Sequence, residues 1–207
     1  ADAVYLGGKA FSARRNAANF DAEALVRAAD YCHERGRKVY VTVNTLVKNQ
    51  ELAQLSELAG QIARAGADAV IVQDLGVCFA LREMIPDLAL HASTQMAVHN
   101  RQGVDFLREN GFSRVVLARE MDFREIADCA GRGVELEVFA HGALCVSCSG
   151  QCLMSSLIGG RSGNRGLCAQ PCRLSYALEG PAARDAGALL STRDLRQLEN
   201  IARLWDA

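Results

Sequence analysis

Short β-branched runs alternate with amphipathic stretches along the chain, and a glycine or a turn closes most units. The runs are AVYL (3–6), KVYVTVN (38–44), DAVIVQ (68–73), LALHAS (88–93), RVVLAR (114–119) and LEVFAH (136–141). Between them, ELAQLSELAGQIARAG (51–66) repeats apolar residues at i, i+3 and i+4 through Leu52, Leu55, Leu58, Ala59, Ile62 and Ala63, with Gly66 just past the end. That spacing predicts a helix with one buried face. DAEALVRAADYCHERG (21–36) reads the same way. In MDFREIADCA, Asp122 is followed three residues later by Glu125, a capping-box pattern at a helix start. Near-continuous apolar strands separated by helices predict an α/β fold with a parallel sheet covered by helices.

Six strand–helix units fall short of the eight of a closed barrel. No GxGxxG follows the first strand, which disfavours a doubly wound dinucleotide fold. GADAVIVQD (66–74) echoes the opening ADAVYLGG, as if the chain started partway through a unit. The expectation is a TIM-barrel-like (β/α) architecture, incomplete and cut at both ends, followed by a Cys-rich loop segment. Residues 1–142 would form the barrel units, 143–178 the cysteine segment and 179–207 a C-terminal helical stretch of the same domain. Half of the 207 residues are apolar, enough for one sizeable core.

In such barrels chemistry gathers where the strands end. Here those ends carry Asn44, Gln73, Asp74, His91, Ser93 with Gln95 beyond it, Arg119, Glu120 and His141. Each alone reads as a cap or a turn; Asp74, for instance, is placed to cap the next helix. Together they predict a ligand-lined mouth. The 23 basic and 24 acidic side chains leave a net charge of −1, so no global field attracts nucleic acid. A nucleic-acid substrate would need a local basic patch or another part of the protein. No 18-residue apolar run and no basic leader ahead of a hydrophobic stretch occur, so the expectation is a cytoplasmic protein with no membrane span.

The cysteines change the picture most. Of the eight, Cys32, Cys78 and Cys129 lie on predicted helix stripes and read as small buried hydrophobes. Cys145, Cys148, Cys152, Cys168 and Cys172 cluster after the last clear strand. In a reducing compartment such a group points to metal or redox chemistry before disulfides. Two hooks, Cys145–Cys148 and Cys168–Cys172, would suit structural zinc. Cys145-Val-Ser-Cys148 alone would suit a thiol redox pair, but leaves three thiols unexplained. Four converging thiolates would suit a [4Fe–4S] cluster. Between Val138 and Leu178 there is no Asp or Glu, while Arg161, Arg165 and Arg173 are present. Those cations would offset a thiolate cluster, or hold phosphate or carboxylate groups. A peptidase needs another set: there is no GxSxG or HExxH, and the only local partner for a cysteine nucleophile is His141 beside Cys145.

ELEVFAHGALCVSCSGQCLMSS (135–156) resembles the signature of peptidase family U32, the collagenase-like family. Glu137, Phe139, Gly142, Ala143, Leu144, Cys145, Gly150, Cys152, Met154 and Ser155 fill its defined positions. GNRGLCAQPCR (163–173), HASTQMAVHN (91–100), VTVNT (41–45) and ADAVYLGG extend the resemblance over most of the chain. It implies a barrel-like fold and two kinds of activity. Some members are named for collagenase-type peptidase activity. Others are oxygen-independent hydroxylases that carry a [4Fe–4S] cluster and take the hydroxyl group from prephenate. These act on RNA, at an rRNA cytidine or a tRNA uridine, or on a small-molecule quinone precursor.

By this resemblance the cluster ligands would be Cys145, Cys152, Cys168 and Cys172. Cys148 departs from the family pattern, where an aromatic residue is common. Zinc on the same thiols is the alternative metal. Arg119 and Arg173 would hold the donor's carboxylates, and His91, Glu120 and His141 would move protons. Asn44, Gln73, Asp74, Ser93 and Gln95 would line the substrate. An electron-transfer partner is implied without being specified.

Overall fold

The structure, a computed structural model, describes residues 1–180 and 184–206. Six parallel strands follow one another in chain order: β1 (Ala3–Gly7), β2 (Lys38–Val43), β3 (Ala69–Val72), β4 (Ala89–Ala92), β5 (Arg114–Val116) and β6 (Glu135–Glu137). Each is linked to the next by one helix: α1 (Ala22–His33), α2 (Leu52–Ala65), α3 (Leu75–Met84), α4 (Arg101–Glu109) and α5 (Phe123–Cys129). β1 and β6 are the two edges, so the sheet curls as an open half barrel.

Period-two alternation sorts the strand side chains. Val39, Val41, Val43, Val70, Val72, Leu90, Ala92 and Val115 face the helices and pack with Leu25, Leu55, Ile62, Leu81, Val104 and Leu107. On the concave face, Tyr40, Ala69 and Ile71 form a second, smaller cluster. Burying a Val or Leu side chain contributes about 1.5–3 kcal/mol, so the helix-side layer dominates the stability of the sheet.

The helix ends follow local chemistry. Asp21 accepts the Ala24 N–H at 2.9 Å, Asn100 that of Gly103 at 2.9 Å, and Asp122 and Glu125 form the expected capping box. Gly66 ends α2 with φ +65°, a left-handed conformation that favours glycine. Cys78 and Cys129 are buried, and Cys32 packs at the edge of the core. Burial, helped by the charge of Asp74, pushes the Cys78 thiol up to about 12, as suits an inert core residue.

Two expected elements differ. LEVFAH leaves the sheet at Glu137, and His141–Gly142 forms a separate strand, β7, antiparallel to β10 (Leu195–Arg196). RVVLAR is similarly short, because the Ala118 N–H bonds the Val98 carbonyl at 3.0 Å instead of continuing the ladder.

The stretch 179–207 is not a helix throughout. β8 (Tyr176–Glu179) and β9 (Arg184–Gly187) pair as a hairpin, and α7 covers only Ile201–Asp206. The strands form because each finds a partner, and no apolar stripe at helical spacing competes with that pairing. Residues 181–183 and 207 of that stretch lie outside the described residues. The cysteine segment is irregular apart from the short helix α6 (Met154–Gly159) and single 3-10 turns. No helix among the described residues is long and apolar enough to cross a membrane.

Candidate functional site

The strand ends and the cysteine segment meet at one rim of the half barrel. The contact is built around Ser149, which is fully buried. Its N–H donates to Oε1 of Glu120 at 2.8 Å and its hydroxyl donates to Oε2 at 2.9 Å. Nε2 of His99 lies 3.0 Å from the same Oε1, while its Nδ1 lies 2.7 Å from the Ala97 carbonyl oxygen. Both ring nitrogens therefore face acceptors. Burial opposes ionisation of Glu120, but the Ser149 donors, its own backbone and His99 outweigh it and hold the carboxyl below its usual range. The Ser149 Oγ also accepts the Arg119 N–H at 3.3 Å. Gly150 follows at φ +73°, where a Cβ would overlap the Gln95 carbonyl oxygen. Only glycine allows that approach.

A second tether lies across the mouth. Arg165 reaches both carboxylate oxygens of Glu51, at 3.0 and 2.5 Å, and the Leu46 carbonyl at 2.8 Å. The Arg165 guanidinium, with the Lys48 N–H, holds the Glu51 carboxyl down at about 2. Asn164 donates to the Gly150 carbonyl and its own carbonyl accepts the Leu46 N–H, so the two tethers are joined. Gly166, at φ +76°, lies against the Ser12 carbonyl as Gly150 lies against that of Gln95.

These contacts divide the expected site residues into committed and uncommitted groups. Asp74 caps α3 through the Val77 N–H and also accepts the Val47 N–H. Ser93 accepts the Gln95 N–H. Glu120 is taken up by Ser149 and His99. Arg173 binds the Leu144 and Thr192 carbonyls and the Ser191 hydroxyl, tying the residue before Cys145 to the 191–192 turn. His141 is exposed on β7, opposite Arg196, and stands outside the six-stranded sheet.

The uncommitted groups lie on the concave face. Gln73 is 9% exposed and His91 5% exposed, and among the described residues neither the Gln73 Oε1 nor the His91 Nδ1 has a hydrogen-bond partner. The Asn44 Oδ1 accepts the Ala13 N–H at 2.9 Å. Arg119 is half-buried, with its guanidinium 5.7 Å from the Phe139 ring centre and two long contacts, both 3.5 Å, from Nε to the Ser149 hydroxyl oxygen and from a terminal nitrogen to the Ala143 carbonyl. Lower on the same face, His91 meets the Tyr40 ring edge-on at 4.6 Å. Arg114 is bound there by Glu135 at 2.8 Å and Glu137 at 3.1 Å. Burial first, then the charge of Arg114, pushes His91 down to about 4, so its imidazole is neutral near pH 7.

The thiols of the cysteine segment lie near one another without closing on a point. Among the described residues no group of three or more His, Cys, Asp or Glu side chains is arranged to hold a metal ion. Burial pushes the Cys172 thiol up; Arg173 opposes this, and Cys145, Cys168 and Cys152 are near enough to push the same way as burial. A Cβ on Gly163 would lie 3.9 Å from both the Cys168 sulfur and the Cys152 carbonyl, so this glycine sits between the two loops. The Gln170 N–H donates to the Cys168 sulfur at 3.3 Å. Cys148 is exposed.

Sequence reasoning missed Ser149, His99 and the Glu51–Arg165 pair as parts of this assembly. Nothing beside Ser149 marks it as buried. Gly150, a signature position, was the available signal that this loop packs closely on something.

The comparisons with known proteins agree with this architecture. The chain is 41% identical over 211 residues to the 23S rRNA 5-hydroxycytidine C2501 synthase of Escherichia coli (strain K12), covering all of this chain and 32% of that protein. It is 35% identical over 214 residues to the tRNA hydroxylation protein P1 of Bacillus subtilis (strain 168), covering 99% and 51%. It is 32% identical over 232 residues to a collagenase of Porphyromonas gingivalis (strain ATCC BAA-308 / W83), covering 100% and 54%. The chain thus spans from about a third to about half the length of these relatives. The solved structure of the U32 peptidase Mk0906 matches its fold with a TM-score of 0.57 at 16% identity, over 69% of this chain and 62% of that one. The model of peptidase family U32 matches residues 1–207, and the chain belongs to that family.

Proposed function

We propose that this chain is the barrel part of an RNA-base hydroxylase that carries a [4Fe–4S] cluster on Cys145, Cys152, Cys168 and Cys172 and takes its hydroxyl group from prephenate. The observation that carries the reading is the similarity, over essentially the whole chain, to proteins named for rRNA and tRNA hydroxylation. The donor chemistry supports it: four thiols share one field, the segment from 138 to 178 has no carboxylate, and a backbone N–H already points at one sulfur. Four thiols in one carboxylate-free segment are the donor set that such a cluster takes. When bound, such a cluster moves electrons or holds structure.

The remaining steps fall to the chain's own side chains. Arg119, which has no carboxylate partner among the described residues, is the cation suited to grip a carboxylate of the donor at the rim. Glu120 sets the position of Arg119 and of the cysteine loop through Ser149, so it acts as a positioning residue. Arg173 braces the cysteine loop through the Leu144 carbonyl. His91, neutral at physiological pH, can accept a proton or a hydrogen bond from a ligand on the concave face. An RNA substrate places the protein in the cytoplasm. The electron-transfer partner is left open.

The peptidase reading rests on the relative named a collagenase. The geometry gives it little support. The Ser149 hydroxyl donates to a carboxylate and faces no imidazole base, so it is not activated as a nucleophile. His141 lies on β7 with its exposed side chain, and no hydrogen bond joins it to Cys145 among the described residues.

The test is iron and acid-labile sulfide content, with a visible spectrum, on full-length protein purified without oxygen. About four irons and four sulfides per chain are expected. They should be lost in Cys152→Ser and kept in Cys148→Ser. RNA mass spectrometry on a deletion strain should then show one missing hydroxylated base. Colourless protein holding zinc, together with an unchanged RNA profile, would remove the proposal.

A further inference from the structure

The concave face of a closed (β/α) barrel is normally a packed apolar core. Here polar side chains outnumber apolar ones over two successive rows. Register puts Thr42, Ile71, His91 and Arg114 side by side in one row. Asn44, Gln73 and Ser93, each two residues further along the same face, make the next row up. Neighbouring strands stand about 4.8 Å apart, so Asn44 and Gln73 are neighbours along that row. Most polar side chains in these rows are committed: Thr42 bonds the Leu6 carbonyl and Ser12, and Arg114 bonds Glu135 and Glu137. The Gln73 amide and the His91 ring make no hydrogen bond among the described residues, although both are more than nine-tenths buried. An unmade hydrogen bond at a buried polar group costs about 1–3 kcal/mol, so two together call for a partner.

Charge narrows what that partner can be. The lower row sets one cation, Arg114, against two carboxylates, so an anionic group is disfavoured beside it. Arg119, which has no ion pair among the described residues, stands at the rim instead. The row suits an uncharged, planar ligand with both donors and acceptors. Enzymes that act on a base take it out of its stack and read its edge by hydrogen bonds.

We propose that Asn44, Gln73 and His91 form a pocket for an extruded pyrimidine base, with Gln73 reading its hydrogen-bonding edge while Arg119 keeps the donor's carboxylate beside it at the rim. This rests on the RNA reading above and deepens it. Gln73 is thereby a specificity-determining residue, distinct from any role of the cysteines.

The experiment uses full-length protein and two readouts. Gln73→Met keeps the length of the side chain and removes the amide; Gln73→Asn keeps the amide but draws it back. In a deletion strain complemented with each, the hydroxylated base should fall roughly tenfold or more for Gln73→Met. Gln73→Asn should lie between, and the iron content of both should match wild type. In parallel, free cytidine and free uridine are titrated into the wild type by NMR. One should bind, and Gln73→Met should abolish the binding.

Wild-type modification levels in Gln73→Met would overturn the pocket and leave the hydroxylase reading standing. If the wild type modifies no RNA, the hydroxylase reading fails. Nucleoside binding then decides the pocket by itself: binding lost in Gln73→Met supports it, and no binding of either nucleoside overturns it. Should both variants fail to fold, the wild-type titration decides alone, with shifts at Gln73 and His91 supporting the pocket and their absence overturning it.

Discussion

Ser149→Ala removes one oxygen from a buried junction and tests whether that junction holds the cysteine segment to the barrel. The hydroxyl lost donates to Glu120 at 2.9 Å and accepts the Arg119 N–H at 3.3 Å, while the backbone N–H of residue 149 keeps its 2.8 Å bond to Glu120. A hydrogen bond to a charged group contributes about 1.5–3 kcal/mol. The Glu120 side chain is 35% exposed, so water can replace part of the lost bond. The expected cost is about 1–2 kcal/mol after that discount. For a domain of this size it lowers Tm by about 2–8 °C.

The acid profile should change as well. Glu120 titrates below its ordinary value of 4.5 in the folded state. Its contribution is complete above that pH and disappears as pH falls through the lower folded value. In Ser149→Ala that acid-sensitive component should shrink, and limited proteolysis between Cys145 and Cys152 should speed up. A thermal melt within about 1 °C of wild type, below the smallest shift that the size scaling gives, with the same acid profile and cleavage rate, would refute the junction as a tether.

Other perturbations separate the roles further. Arg165→Met should raise the Glu51 carboxyl from about 2 toward 4.5, seen by carbon-detected NMR titration, and should remove stability that the wild type loses only as pH falls from about 4.5 through about 2. Gly166→Ala sets a Cβ onto the Ser12 carbonyl at φ +76° and should cost about 2–4 kcal/mol. Gly160→Ala, at φ +65° with open space around it, should cost about 1 kcal/mol, both costs being read by denaturant titration. For His91 the folded value is about 4 against 6.5 unfolded, so stability should fall as pH drops through that window and be lost by about 3 kcal/mol below it. His91→Gln should flatten that part of the profile, and an unchanged slope between pH 4 and 6.5 would mean the ring is not buried neutral. Asp74→Ala should cost about 1 kcal/mol, as for a helix cap, and leave RNA modification unchanged.

The sequence by itself determined the alternation of strand and helix, because period-two and period-3.6 burial leave local signatures. The valines of KVYVTVN and the stripe of ELAQLSELAGQIARAG could face only one way in a helix-covered sheet. Caps were equally legible at Asp122 and Gly66, where the partner atoms lie within a few residues. The cysteines stood out by composition, and their signature carried the family.

What the sequence left open were contacts between residues far apart in the chain. Asp74 and Glu120 carry the same kind of group just past β3 and β5, and nothing local tells that one caps a helix while the other is bound by Ser149, 29 residues on. The same holds for Arg165, whose partner Glu51 is 114 residues away, and for the strand at Leu195–Arg196, which exists only because His141–Gly142 lies beside it. Local pattern sets which face a side chain takes. Only the folded chain decides whether its polar atoms find a protein partner there, and so which of them, like Gln73 and His91, remain free for a ligand.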